Sequence, residues 1–337
     1  MPQIVKRILY ALLIGIALAL PFIARNPYQV YLINRALVNV LVASGLVFLT
    51  GFAGQISLGQ AGFYCLGAYT TGLLTSSTRL GLPIPVGIIA AVLICMLAGL
   101  LLSFPSFKLK AFFLSLTTIA FGQIIWNLAL NLIDLTGGPG GLFKIPFMQL
   151  GSHVLDNYSY FYFLLAFVVL AIVLMYRIKH SHLGRQLFAV NDDEIAAETC
   201  GVNSKRIKSF AFVFSAALAG LAGAFYAHLA GFLTPEPFTS PMESANFMAM
   251  AIVGGLRRLT GGVIGGVIMT FLPEVMRINK EGFENFYMIF NSLIIVIIVI
   301  FLPMGLGDIV QRILGRFRKG KPKSETLTLP RIIRKRK

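Results

Sequence analysis

The chain is 337 residues long, 57% hydrophobic and only 12% charged, with a mean hydropathy of +0.80. Soluble domains carry about 25% charged residues, so this chain has too few to cover a water-facing surface of its size, and the lipid bilayer is its natural solvent. The net charge of +16 does not indicate nucleic acid: the basic residues cluster between apolar runs and in a tail from Arg312 to Lys337, as positive-inside topology and attraction to anionic lipid require.

A helix needs about 20 apolar residues to cross the hydrocarbon core. In chain order, spans are predicted at 8–24, 28–50, 59–78, 84–104, 111–133, 158–177, 207–232 and 286–304. Lys6 and Arg7 precede the first span as in a signal peptide, but no A-x-A cleavage site follows, and the segment reads as an uncleaved span. The apolar stretch 244–275 is interrupted by Gly254-Gly255 and Arg257-Arg258, and reads as two short spans or two half-helices with the arginines at the turn. The expected fold is all-α: a polytopic membrane protein of about 8–10 transmembrane helices with broken or re-entrant elements. A transmembrane domain would fill 1–310, with a basic cytoplasmic tail at 311–337.

With both termini cytoplasmic, every lysine and arginine lies inside except Arg25, Arg35, Arg79, Lys144, Arg277 and Lys280. Ten spans satisfy this rule, and eight or nine with a re-entrant element is the alternative. No aspartate or glutamate sits in the middle of a proposed span. Ion-coupled carriers keep an ionisable group inside the membrane, so an external energy source is expected. Cys65, Cys95 and Cys200 form no CxxC pair or metal spacing, and read as small packing residues.

Four segments stand out. The first runs from Gly51 to Ala61 and on to Tyr69. Gln55, Ser57, Gln60 and Tyr69 are polar, and glycines at 51, 54, 59, 62 and 67 allow the backbone to bend. It is either irregular backbone lining a pathway or a glycine-rich packing seam whose polar groups bond across helices.

The second is the loop from Ser181 to Lys208. Asn191 is a suitable N-cap, with Asp192, Asp193 and Glu194 in the first turn and Glu194 at the capping-box position. Gly201 is a natural stop. A short, self-capped helix is predicted, with Ala196 and Ala197 giving it a narrow face for a partner's cleft. An ordinary amphipathic surface helix remains the other reading.

The third is the span after that loop, where Ala216, Gly220 and Ala224, and likewise Ala219, Gly223 and Ala227, form small-residue stripes suited to close helix packing. His228 at its end reads as a hydrogen-bonded interface residue. The fourth is Leu135-Thr-Gly-Gly-Pro-Gly-Gly-Leu142, which no Lys-Ser/Thr follows. No G-x-x-x-x-G-K-[ST] occurs in the chain, and Gly320-Lys321 runs into Pro322, so a nucleotide would have to be bound by a partner. His180 and His182 lie near Asp192 and Asp193 without a third ligand spacing, and no metal or membrane-enzyme chemistry is expected of them.

The GFAGQISLGQAGFYCLGAY segment, the LTTIAFGQ and LTGGPGGL stretches and the block from Gly184 to Ala227 together resemble branched-chain amino acid ABC transporter permeases, of the LivM-type half. The resemblance runs from about Ala36 to Pro303. It implies a permease subunit of an ATP-driven importer for branched-chain or related small amino acids in a bacterial inner membrane. A LivH-type second permease, two cytoplasmic ATPases and a periplasmic binding protein would be its partners, with no cofactor of its own. It also implies that the 181–205 loop couples to the ATPase through Gly184, Asp193, Glu194, Ala196, Ala197 and Gly201. Two features depart from the family: Arg257-Arg258 after the glycine pair, and the basic tail.

Gln55, Ser57, Gln60, Thr117 and Thr118 are the candidate pathway residues, offering a few polar groups among apolar walls. The competing function is a gradient-driven secondary transporter or channel, with an ion site built from the broken Gly51–Gly59 segment.

Overall fold

The computed structural model describes residues 21, 26–106, 111–150, 153–256 and 258–278. The expected spans 8–24 and 286–304, Lys108, Lys110, Arg257 and the basic tail lie outside the described residues.

Helix α1, Pro27–Leu46, starts with proline in its first turn and runs into a π-helical turn, Val47–Phe52. Together they form a span whose most apolar window is 89% buried. After an irregular stretch, α2 covers Gln60–Thr75 and α3 Ile84–Ser106. Helix α4, Ala111–Asn131, is followed by the short α5, Ile133–Thr136. A two-residue antiparallel pairing, β1 Gln149–Leu150 with β2 His153–Val154, precedes α6, Asn157–His180. The short helices α7, His182–Asp192, and α8, Glu194–Thr199, lead into α9, Ser204–Ala230. Helices α10, Met242–Gly254, and α11, Leu259–Ile278, end the described chain.

Burial sorts these helices into two layers. The most apolar windows of α3, α4 and α6 are only 28%, 22% and 28% buried, against 67% for α9. Leu93, Leu97, Leu101 and Phe104 stand out along one side of α3. In water such a face would be a large exposed apolar patch; in lipid it costs nothing. Helices α1 and α9 form the centre, and α3, α4 and α6 the lipid-facing rim. Five helices are long and apolar enough to cross a membrane, matching the expected spans at 28–50, 84–104, 111–133, 158–177 and 207–232.

The third expected span, 59–78, is different. Its helix has 16 residues and begins only at Gln60, giving about 24 Å, short of the roughly 30 Å core. The stretch 244–275 divides at Gly254-Gly255 into α10 and α11, as its glycines indicated. Helix α11 lies antiparallel to α1: an added Cβ at Gly262 would meet Ser44, one at Gly266 would meet Val40, Asn39 Nδ2 donates to Thr270 Oγ1 at 2.9 Å, and Tyr28 donates to Glu274 at 3.0 Å.

Helix α10 starts inside the bundle. Ser240, just before it, lies against Gly122 at the middle of α4, and Ser244 Oγ accepts from the Ala61 amide at 3.0 Å. With 13 residues it spans about 20 Å. The N-termini of α2 and α10 therefore meet at mid-bundle; α10 is a half-helix of the kind expected, whereas α2 was expected to be a full span. The small-residue stripes of α9 pack as read: a Cβ at Gly67 of α2 would fall 2.2 Å from Gly220 O, and one at Gly223 would fall 2.1 Å from Tyr64 O.

Candidate functional site

The α7–α8 module is built from local capping. Ser181 Oγ accepts from the Gly184 amide at 3.4 Å and starts α7. Gly184 itself is packed against the end of α6, where a Cβ would lie 2.3 Å from the carbonyls of Ile178 and Lys179. Helix α8 is capped by Asp193, whose Oδ1 accepts from the Ala196 amide at 3.0 Å. Gly201 closes the turn with φ +82°, the left-handed conformation that glycine adopts without a Cβ penalty. Glu194 pairs with Lys208 at 2.5 Å, Glu198 accepts from Ser204, and Asn203 caps α9.

Three expectations are corrected here. The segment forms two helices, not one, because the chain turns extended at Asp193 (φ −155°, ψ 108°). Asp193 is the cap in place of Asn191, and Glu194 is engaged by Lys208 and closes no capping box. Ala196 is exposed, but Ala197 is 5% exposed and faces this chain's own core. The outward apolar group is Ile195, 77% exposed, which the sequence reading missed. Cys200 is exposed, unlike the buried Cys65 and Cys95. Replacing Asp193 with alanine removes the cap and is expected to weaken α8 by about 1 kcal/mol. Hydrogen exchange of the 194–199 amides checks this, with roughly fivefold faster exchange expected.

Asn191 has a different task. Its Nδ2 donates to Gly51 O at 3.2 Å, and its Oδ1 lies over Gly54, 2.3 Å from where a Cβ would be. Gly54 has φ +69°, so it meets both demands, steric and conformational. Phe188 of α7 packs on Phe52 with ring centroids 5.0 Å apart, and Lys179 Nζ sits 5.5 Å from one ring and 5.9 Å from the other. Gly51 also abuts Leu256 in the α10–α11 connection, with Leu256 O 1.7 Å from a Cβ position. The loop module, the π-helical turn and the α10–α11 turn therefore meet at one junction. Nothing local in the sequence announced this; π-helical turns frequently mark functional sites.

From that junction the chain rises through residues 54–59 in irregular conformation before α2 begins. The segment is held by side chains: Leu58 donates its amide to Thr118 Oγ1 at 3.0 Å, and Thr50 Oγ1 donates to Gln55 O at 3.0 Å. Gln60 donates to Ser215 Oγ on α9 at 2.8 Å. Gln55, Ser57, Gln60 and Thr118 are all buried together along α2, α4 and α9. Thr117 is turned elsewhere, donating to Phe113 O within its own helix at 2.9 Å. Irregular backbone enclosed by protein is the form such a break takes at membrane depth.

The remaining segments are structural. Leu142 and Leu233 exchange backbone hydrogen bonds of 2.8 and 2.9 Å, so the glycine loop clasps the chain leading to α10. His228 is buried, with Nδ1 2.8 Å from Pro146 O. Among the described residues no three His, Cys, Asp or Glu side chains could share a metal ion.

Comparison with known proteins agrees with this architecture. Residues 28–299 match the family described as the permease component of the branched-chain amino acid transport system. The LivM permease protein of the high-affinity branched-chain amino acid transport system of Escherichia coli K12 is 33% identical over 89% of this chain and 74% of its own length. The Salmonella typhimurium LivM is 32% identical over 95% and 79%. The LivH permease protein of E. coli K12 is 22% identical over 79% of this chain and 90% of its own. No solved structure matches the chain. Family match, sequence identity and the helical bundle with its broken elements agree: the chain belongs to the permease components of branched-chain amino acid transport systems.

Proposed function

We propose that this chain is one permease subunit of an ATP-binding-cassette importer that carries branched-chain or related small amino acids across a bacterial inner membrane. It works with a second, LivH-type permease, two cytoplasmic ATPase subunits and a periplasmic substrate-binding protein. Both termini lie in the cytoplasm. The chain binds no cofactor: it has no phosphate-binding motif, and ATP is held by the ATPases.

The observation that carries this reading is the α7–α8 module. It is rigidly capped, exposes Ile195 and Ala196 beside the charged Asp193 and Glu194, and is braced through Asn191 and Phe188 on the very turn where α1 breaks. A partner pushing on α8 would move Gly51 and Gly54, and with them the 54–59 segment and Leu256, which abuts Gly51. The coupling residues are Gly184, Asp193, Glu194, Ala196 and Gly201, with Ala197 holding the module to the core. The substrate path follows the irregular segment past Gln55, Ser57, Gln60 and Thr118, with Thr117 on the neighbouring helix face.

The test is uptake by the assembled importer in proteoliposomes with binding protein and leucine. Uptake is expected to require ATP on the ATPase side and to survive ionophores that collapse ion gradients. Uptake by the permeases without the ATPases, abolished by those ionophores, would establish the gradient-driven alternative instead.

A further inference from the structure

Lys179 sits at the corner where α6 turns into α7, and that corner is tightly built. Ser181 donates to Ile178 O twice, from Oγ at 2.7 Å and from its amide at 3.0 Å. Gly184 packs so closely on the corner that a Cβ there would lie 2.3 Å from Lys179 O. Arg177, Lys179 and His180 together form the basic end of α6. Basic residues at the inner end of a span ordinarily reach for headgroups and water. Arg177 and His180 are exposed, as that account requires, but Lys179 is half-buried.

The Lys179 side chain is turned to two aromatic faces. Its ammonium lies 5.5 Å from the centroid of Phe52 and 5.9 Å from that of Phe188, and the two centroids are 5.0 Å apart. No carboxylate among the described residues comes within 4.0 Å of it. A cation over a ring face is worth roughly a factor of 2 to 30 in an equilibrium, more as water is excluded. The two rings belong to different parts of the junction. Phe52 ends the π-helical turn of α1, beside Gly51 and Gly54, and Phe188 lies on α7, one turn before Asn191. Ring-on-ring packing alone tolerates sliding. A charge held by both faces resists their separation, and as a compact point charge it makes few demands on angle.

We propose that Lys179 is a positioning residue for energy coupling: its ammonium, shared by Phe52 and Phe188, ties the π-helical turn of α1 to the α7–α8 module. A stroke delivered to α8 then carries the turn with it and reaches the 54–59 segment. The proposal rests on the importer reading and adds to it a contact through which the stroke leaves the module. Without the charge, ATP hydrolysis continues, because the outward side of α8 is untouched, but the turn follows fewer strokes.

The experiment measures leucine taken up per ATP hydrolysed by the complete importer in proteoliposomes with binding protein. Methionine keeps an unbranched apolar chain and removes the charge. Lys179→Met is expected to assemble with the ATPase subunits in wild-type ratio, to hydrolyse ATP, and to carry roughly 5- to 10-fold less leucine per ATP. Lys179→Arg keeps a cation that stacks on rings and should recover most of that loss. Arg177→Met removes a neighbouring exposed charge and should match the wild type. Phe188→Leu keeps an apolar side chain without the ring, should show the same kind of loss, and decides the matter if Lys179→Met does not assemble. A merely structural role would lower the yield of complex and leave the ratio unchanged in what assembles. Assembled Lys179→Met and Phe188→Leu complexes with the wild-type ratio overturn the positioning role and leave the importer reading standing, as does an equal loss in Arg177→Met. Leucine uptake by the wild-type complex without ATP overturns the importer reading, and the positioning role with it.

Discussion

Replacing Ile195 with aspartate, or Ala196 with arginine, is expected to leave a folded permease that no longer retains the ATPase subunits. Both side chains face outward on α8, and Ile195 is 77% exposed, so neither change disturbs this chain's own packing. Surface substitutions of that kind usually alter stability by no more than about 0.5 kcal/mol. Inserting a charge into the centre of a packed interface costs far more, about 2 kcal/mol or above at a hot spot, or roughly 30-fold in affinity. Co-purification with the ATPase subunits and ATP-dependent uptake should both fall, while the permease runs as the same monodisperse species. Ala197→Arg is the informative contrast. Ala197 is buried against the core, so the arginine should destabilise the module itself. Retention of the ATPases by both Ile195→Asp and Ala196→Arg would remove α8 from the coupling role.

Gly223→Leu should have the largest effect on folding. The added Cβ would lie 2.1 Å from Tyr64 O and 2.8 Å from the Ala68 amide nitrogen, both backbone atoms of α2. No side-chain rotation relieves that, so α9 and α2 must separate along the central contact of the bundle. Overpacking a core costs 1–3 kcal/mol or more, and here a whole helix interface moves, so the loss should exceed about 3 kcal/mol. The yield of monodisperse detergent-solubilised protein and its Tm check this. Gly140→Ala is the matched control, since nothing lies within 4 Å of its Cβ position; it should be unchanged. A Gly223→Leu protein of wild-type Tm would show that α2 and α9 do not pack this closely.

The two variants probe different depths of one design. Gly223 keeps the central helices close, and the α7–α8 module rests on the ends of that core. The link between them is polar and specific: Asn191 on Gly51, Phe188 on Phe52, Gln60 on Ser215. Gln60 and Ser215 also reconcile two readings of the glycine-rich segment. The segment is a packing seam, because its polar groups bond across helices, and it is a backbone break, because residues 54–59 are not helical.

What the sequence determined by itself was set by local, one-dimensional signals. The bilayer solvent follows from composition, and five spans follow from runs of apolar residues, because a helix in lipid must satisfy its backbone internally and needs a fixed length of apolar side chains. The break at Gly254-Gly255, the stop at Gly201 and the close packing of the α9 stripes were legible for the same reason: glycine's missing Cβ acts where it stands. Tertiary structure alone decided the rest. Asn191 could cap a helix or bridge to a distant carbonyl, and the position of Gly51 chose the bridge. Ala197 turned inward because α8 docks by that side, leaving Ile195 outside. The start of α10 at mid-bundle carried no periodic signal, since the chain before it contains Pro235, Pro237 and Pro241. Contacts between segments far apart along the chain are a property of the folded arrangement, and no local pattern of residues encodes them.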